Sequence, residues 1–304
     1  MSVSSLRHDA FVYDSDEDFV ARIAPFVEDG LEAGDAAVVV ATRHNCRLLR
    51  DALDGGSSQV TFVDRDEFYL RPAAVIAGYD KTLRELLGGG APAVRVIGEV
   101  QFGTTPREWD EWTAYESILN RAFAERRAWI VCPYDARVLP ESVVHQAAHT
   151  HPEMLGATGE PSPHYHDPEE LVRALTPAPA ALPDLRPVAI DADGRGFRAQ
   201  LRRELGEDGI PEAEAERMVL AAGEVLANAH RHGHGAATLR VGRVDDRFVC
   251  EISDHGPGLD DPLAGYLPPH HAHANGAGLW VARQLTWRLD LLPGVDGLTV
   301  RLWI

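Results

Sequence analysis

Glu224 and Asn228 stand four residues apart in the run Glu224-Val225-Leu226-Ala227-Asn228. Inside a helix that spacing sends both side chains out of one face. The neutral oxygen of an Asn suits Mg2+, which keeps waters and phosphate oxygens in the rest of its shell. A carboxylate one turn earlier is placed to orient or deprotonate a hydroxyl. A second group, Asp254-His255-Gly256-Pro257-Gly258, follows an apolar run that ends in Asp254. A carboxylate at a strand end accepts a hydrogen bond from an amino group such as that of adenine. Gly256 and Gly258 let the backbone turn sharply and come close to a flat ring. A third group, Gly276-Ala277-Gly278-Leu279, opens another helical stretch. Unpaired amides at a helix start attract phosphate, and glycine removes the side chains that would block it. Each piece alone has a plain structural reading: a solvated helix face, a turn, a cap. The order of the three, on helix, strand end and helix start, makes them a set.

That set resembles the N, G1 and G2 boxes of the gyrase/Hsp90/histidine-kinase/MutL (GHKL) ATPases, and most of all the anti-sigma-factor serine kinases. Their E-x-x-x-N-A-x-x-H helix is matched by Glu224, Asn228, Ala229 and His232. The resemblance implies an ATP site in which Asn228 coordinates Mg2+ and Asp254 reads adenine. Gly256 and Gly258 would shape the turn, Gly276 and Gly278 would hold phosphates, and Leu279 would belong to the same nucleotide site. It further implies that Glu224 is the general base toward a serine on an antagonist protein, and that the kinase-like domain forms a homodimer. One departure stands out. The stretch between Gly258 and Gly276 contains Pro268-Pro269-His270-His271-Ala272-His273 and almost no basic residue, so it offers no obvious cation for a γ-phosphate.

The elements that must carry these groups follow from hydrophobic periodicity. Helices are expected over 197–205, 212–232 and 278–289. Strands are expected over 237–244 and 247–253, joined by the turn pair Asp245-Asp246, and near 289–292 and 298–304. Helices against an antiparallel sheet make an α+β sandwich, of the Bergerat/GHKL type if the resemblance holds. Before it, Thr176 to Pro187 reads TPAPAALPDLRP. Four prolines in twelve residues favour an extended spacer. The expected division is therefore a domain over 1–175, a linker over 176–187 and a domain over 188–304.

The first domain alternates apolar strands (36–40, 60–63, 93–98, 129–132 and one near Phe11) with helices over 44–53, 72–87 and 108–125. An acidic-capped helix also precedes Gly30. Alternation of this kind implies a doubly wound, mostly parallel sheet. Glu99 and Tyr134 fall at the C-terminal ends of predicted strands, the edge where open α/β sheets bind ligands. Several phrases resemble the MEDS sensory domain: His8 with Phe11-Val12-Tyr13, Gly30-Leu31-Glu32-Ala33-Gly34, Gly98-Glu99, Trp112 with Glu116, and Cys132-Pro133-Tyr134-Asp135. The resemblance implies a sensor of a small molecule or signalling partner, and the expected pocket residues are His8, Glu99, Glu116 and Tyr134. The alternative is that these polar groups only satisfy one another in a packed core.

Composition excludes other classes. A formal charge of −18 in 304 residues opposes non-specific nucleic-acid binding and would favour a basic partner. Lys81 is the only lysine, so no GxxxxGK[ST] loop exists, and neither GxSxG nor a strand-linked GxGxxG occurs. No apolar run approaches the roughly 20 residues of a membrane span, and no secretory signal opens the chain, which makes a cytoplasmic location the expectation. Cys46, Cys132 and Cys250 form no CxxC pair and read as buried thiols rather than a cysteine-based zinc site. His149 to His151 and His164 to His166 lie among Pro152, Pro163 and Pro168, which point to loops and against a specific metal. A sensor histidine kinase is a poor second, because a proline-rich linker stands where its phosphoacceptor-histidine hairpin would precede the domain, and two functional readings lead. In one, an ATP-binding switch sequesters a sigma factor or phosphorylates its STAS-type antagonist. In the other, a non-catalytic module uses nucleotide only to hold a partner-binding conformation.

Overall fold

The computed structural model describes residues 5–155, 160–176, 181–182, 184–190, 196–233, 237–267, 277–294 and 297–304. It separates into two compact units between Leu171 and Val172.

The first unit runs β1 (Arg7–Tyr13), α1 (Asp16–Glu32), β2 (Ala36–Ala41), α2 (Arg43–Ala52), β3 (Val60–Asp64), α3 (Arg65–Phe68), α4 (Pro72–Gly88) and β4 (Val94–Gly98). It continues with α5 (Pro106–Ala122), β5 (Ala128–Asp135), α6 (Glu141–Thr150), β6 (Glu153–Met154) and β7 (Glu160–Pro161), and the division falls within α7 (Pro168–Leu175). The sheet order is β3-β2-β4-β5-β1-β6-β7, parallel through β6 with only β7 antiparallel. This is the expected α/β fold. Side chains of successive strand residues alternate between faces. Phe11 and Tyr13 therefore join Val39, Ala41 and Val131 in a core covered by Phe19, Ile23 and Leu49 of α1 and α2. His8 and Cys132 fall on the opposite face, because Ala10 pairs with Cys132 and His8 lies two residues from Ala10. Helices α5 and α6 pack together over that face. Helix α5 starts earlier than its periodicity suggests because Thr105 and Glu108 form a reciprocal capping box ahead of Pro106.

Two expectations are corrected. The prolines around His149 predicted a loop, yet Glu141–Thr150 is helical and Pro152 lies just beyond it, where proline cannot interrupt the ladder. Within the predicted linker, Arg186–Val188 is a strand, β8. Pro187 is tolerated there because β8 is an edge strand and needs donors on one side only.

After β8 come α8 (Gly196–Glu207), α9 (Glu212–His232), β9 (Ala237–Val244), β10 (Arg247–Asp254), α10 (Ala277–Leu285), β11 (Arg288–Gly294) and β12 (Gly297–Trp303). The sheet order is β11-β12-β10-β9-β8, antiparallel throughout. Asp245, with φ 55°, makes the tight β9–β10 turn. Phe197, Leu201, Met218 and Val225 of the helices pack on Leu239, Val241, Phe248 and Leu302 of the sheet. The result is the expected α+β sandwich. Among the described residues, no helix is long and apolar enough to cross a membrane.

Candidate functional site

Helices α9 and α10 pack side by side over the sheet, and their contact builds the site. At Gly278, in the first turn of α10, an added Cβ would sit 3.1 Å from both Glu224 Oε2 and Asn228 Nδ2. The carboxylate, the amide and the start of α10 thus converge. Gly276 lies outside the described residues, as does the His-rich stretch before it.

Below this point a cavity of about 460 Å³ opens between α9, the end of β10 and the segment after it. Asn228, Asp254, Gly256, Gly258 and Leu279 all line it, over an apolar floor of Val225, Ile252, Leu298 and Val300. That volume falls in the range of small-molecule sites, and the mixture of apolar wall with a few polar groups is typical of them. Asp254 is held in place by two backbone amides, Gly256 N at 2.8 Å and Leu298 N at 3.4 Å, both on Oδ1. Among the described residues no hydrogen bond reaches Oδ2, the oxygen that would accept an amino hydrogen from a ligand. Such a charge-assisted bond, inside a half-enclosed apolar cavity, is worth more than in water.

Several contributors escape sequence reasoning. A Cβ on Gly233 would lie 2.5 Å from Asp254 Cβ, and one on Gly297 only 1.9 Å from Asp254 O. Gly297 also has φ +145°, a region L residues rarely adopt. Gly265, at φ +81°, lets the segment after Leu263 press against Leu279. Arg283 of α10, almost fully buried, donates to Ala264 O at 2.8 Å and Leu289 O at 2.9 Å, and lies over the ring of Tyr266. It ties that segment to α10 and so shapes the mouth of the cavity. None of these residues belongs to a short motif, because each requirement comes from an element distant in sequence.

The cavity lining contains no Lys or Arg, among the described residues, and does contain Asp254 and Asp261. A triphosphate would therefore need a cation brought with it. Two observations fit Mg2+ nucleotide to these residues. The Gly278 cradle would be filled by any side chain, and the oxygen donor Asn228 already attracts a cation, its Oδ1 accepting from Arg231 Nη1 at 3.3 Å. Arg231 was not singled out from sequence; outside the cavity lining, it places a guanidinium beside Asn228. When bound, Mg2+ would neutralise phosphate charge. We expect Asn228→Ala to weaken ATP binding in Mg2+ by about tenfold or more, the scale of one bond to a charged group. Binding without Mg2+ should change little. Calorimetric titration with and without the metal checks both.

In the first unit the predicted pocket residues divide into two sets. Glu99 is saturated: its Oε2 accepts from Thr42 N and Asn45 Nδ2, each at 2.9 Å, and its Oε1 from Arg65 Nη1 at 2.7 Å. It clamps the segments that follow β2, β3 and β4. His8, Glu116 and Tyr134 share a different environment, with Cys132 and His151. Glu116 Oε2 lies 3.2 Å from His8 Nε2, 3.3 Å from Cys132 Sγ and 3.4 Å from His151 Nε2. The Tyr134 ring meets the His151 ring edge-on at 5.9 Å. A single pocket lined by all four predicted residues is therefore replaced by a clamp at Glu99 and a buried polar group around Glu116. Burial, reinforced by His8, holds the His151 imidazole below its usual range. The sequence placed His151 in a loop and so missed it.

Residues 7–152 match the sequence model of the MEDS domain, the methanogen/methylotroph, DcmR sensory domain. Residues 189–304 match that of the histidine kinase-like ATPase domain. No curated protein matches the chain.

Proposed function

We propose that this chain, a MEDS domain followed by a histidine kinase-like ATPase domain, is a nucleotide-dependent regulator that controls a sigma factor. The two domains found make it a regulatory nucleotide-binding protein. The finer reading is that the ATPase domain binds ATP with Mg2+, captures a sigma factor, and transfers phosphate to a serine of a STAS-type antagonist. Signal sensing in the first domain biases that choice.

The observation that carries this reading is the convergence of Glu224 and Asn228 on Gly278 at the start of α10. Of this pair, nucleotide binding calls only on the Asn. The exposed carboxylate one turn earlier adds a proton acceptor beside the phosphate end of the site. There it can take the proton of an incoming serine hydroxyl as the oxygen attacks phosphorus. Arg231, next to Asn228, adds positive charge where negative charge accumulates. Positioning and charge, rather than covalent chemistry by the protein, would accelerate such a transfer. The chain's charge of −18 suits capture of a basic protein surface.

The second reading, a non-catalytic nucleotide-dependent module, rests on the absence of Lys and Arg from the described cavity lining. Incubating the full chain with labelled ATP and a serine-bearing antagonist separates the two. Phosphoserine on the antagonist supports the kinase reading. Retention of a sigma factor that depends on ATP, with no phosphoserine, supports the second. Neither result, with ATP bound, would remove sigma control from the account.

A further inference from the structure

We infer that His8, Glu116, Cys132 and His151 form a binding site for a divalent transition metal, best suited to Zn2+, in the core of the first unit. The four come from separate elements: His8 from β1, Cys132 from β5, Glu116 from α5 and His151 from the end of α6. All four are buried, and one ligand atom from each lies within 4.8 Å of every other. The closest separations are 3.2 Å (His8 Nε2 to Glu116 Oε2), 3.3 Å (His8 Nε2 to Cys132 Sγ; Cys132 Sγ to Glu116 Oε2) and 3.4 Å (His151 Nε2 to Glu116 Oε2). The edges of a tetrahedron around zinc, with its ordinary bonds to sulfur, nitrogen and oxygen, are about 3.3–3.6 Å. The set of donors, one thiolate, two imidazoles and one carboxylate, is of the borderline-soft kind that zinc takes.

The surrounding hydrogen bonds aim the donors. Asn120 Nδ2 donates to Ser117 O at 3.1 Å and Thr150 O at 2.8 Å, which fixes the amide so that its Oδ1 faces His8 Nδ1 at 3.0 Å. An oxygen there requires a hydrogen on Nδ1, so in neutral His8 the lone pair is on Nε2. His151 Nδ1 faces two oxygens, Ala147 O at 3.0 Å and Thr150 Oγ1 at 2.9 Å; with the Thr150 hydroxyl donating to Gln146 O at 3.1 Å, Nδ1 carries the hydrogen and Nε2 the lone pair. Both lone pairs point at an acceptor-only carboxylate. The Cys132 thiol has one hydrogen to offer, and it goes to Glu116. His151 Nε2 and Glu116 Oε1 are buried with no hydrogen-bond partner. An orphaned buried acceptor is costly, and a cation among the four ligand atoms would satisfy His151 Nε2, which lies 3.4 Å from Glu116 Oε2. Metal-ligating imidazoles characteristically hold the other ring nitrogen in this way, by a carbonyl or amide oxygen. A cavity of about 240 Å³ that includes His8, Asn120 and Pro152 in its wall gives a route toward the site.

The proposal does not depend on the ATP site or on sigma control. Its test is Co2+ titration of the chelator-treated full chain, followed by optical spectroscopy and competition with Zn2+. Expected are tetrahedral Co2+ bands with a thiolate-to-cobalt charge-transfer band, displaced stoichiometrically by Zn2+, and a Zn2+-dependent rise in the melting temperature. Cys132→Ser should lose the thiolate band. Asn120→Ala, which leaves all four ligands in place, should weaken Zn2+ by about 10–100-fold. If wild type, folded by circular dichroism, takes up no Co2+ into such a site, the inference fails. It fails also if the thiolate band persists unchanged in Cys132→Ser, or if metal binds only without thiolate, as at the half-buried His149 and the exposed His164 and His166.

Discussion

Replacing Gly297 with alanine should abolish ATP binding and destabilise the C-terminal unit by about 3 kcal/mol or more. Two independent causes act at this one position. Its φ of +145° lies where a Cβ is strained, and the added carbon would fall 1.9 Å from Asp254 O, well inside contact distance. The backbone must then move either at the start of β12 or at the end of β10. In both cases Leu298 N and Gly256 N no longer meet Asp254 Oδ1, and the carboxylate loses the support that aims it into the cavity. Thermal melting followed by circular dichroism gives the stability change, and nucleotide titration of the folded fraction gives the binding change. A Gly297→Ala protein with wild-type melting and wild-type affinity would mean that the Asp254 geometry is wrong. Gly278→Val offers a milder contrast. Its side chain would intrude between Glu224 and Asn228 without backbone strain, so it should lower affinity while leaving the melt nearly intact.

Glu224→Gln is expected to reduce phosphotransfer to an antagonist serine by roughly 10²–10⁴-fold, the usual contribution of a general base. Affinity for Mg2+ ATP should change little, because the amide keeps the shape and Asn228 keeps its oxygen. Such a separation of turnover from binding identifies a group acting on the incoming hydroxyl rather than on the nucleotide. Equal rates for the variant and wild type would take the base role from Glu224. Loss of both rate and affinity would make it a structural member of the α9–α10 contact.

What sequence reading reached, and what it missed, follows from range. Glu224 and Asn228 were legible because four residues on a helix always share a face, whatever the fold. Gly278 was legible as part of a helix start. Gly233, Gly265 and Gly297 were not, since each is required only by the close approach of a distant segment: Asp254 for Gly233 and Gly297, Leu279 for Gly265. Arg231 and Arg283 are ordinary helix residues until their partners are known. In the first unit, the alternation of strands and helices gave the parallel sheet; in the second, β8 was missed because prolines at 183 and 187 argued against any strand. Glu99 and Tyr134 were grouped because both fall at strand ends, yet residues on one sheet edge need not share contacts, and Glu99 is held by Thr42, Asn45 and Arg65 instead. His151 escaped because Pro152 beside it suggested a loop, while the helix before it runs to Thr150. Buried Cys132 was read correctly as a thiol in the core, and its company there came from three other elements.

The account rests on a purine nucleotide lying in the cavity with its amino group at Asp254. Equilibrium titration of ATP, with Mg2+, into the full wild-type chain and into Asp254→Asn tests this most directly. Saturable binding by wild type, weakened about tenfold or more by a change that replaces a charged acceptor with a neutral amide, is the predicted result. A folded wild-type chain that binds no ATP, or an Asp254→Asn chain that binds it equally well, would contradict it.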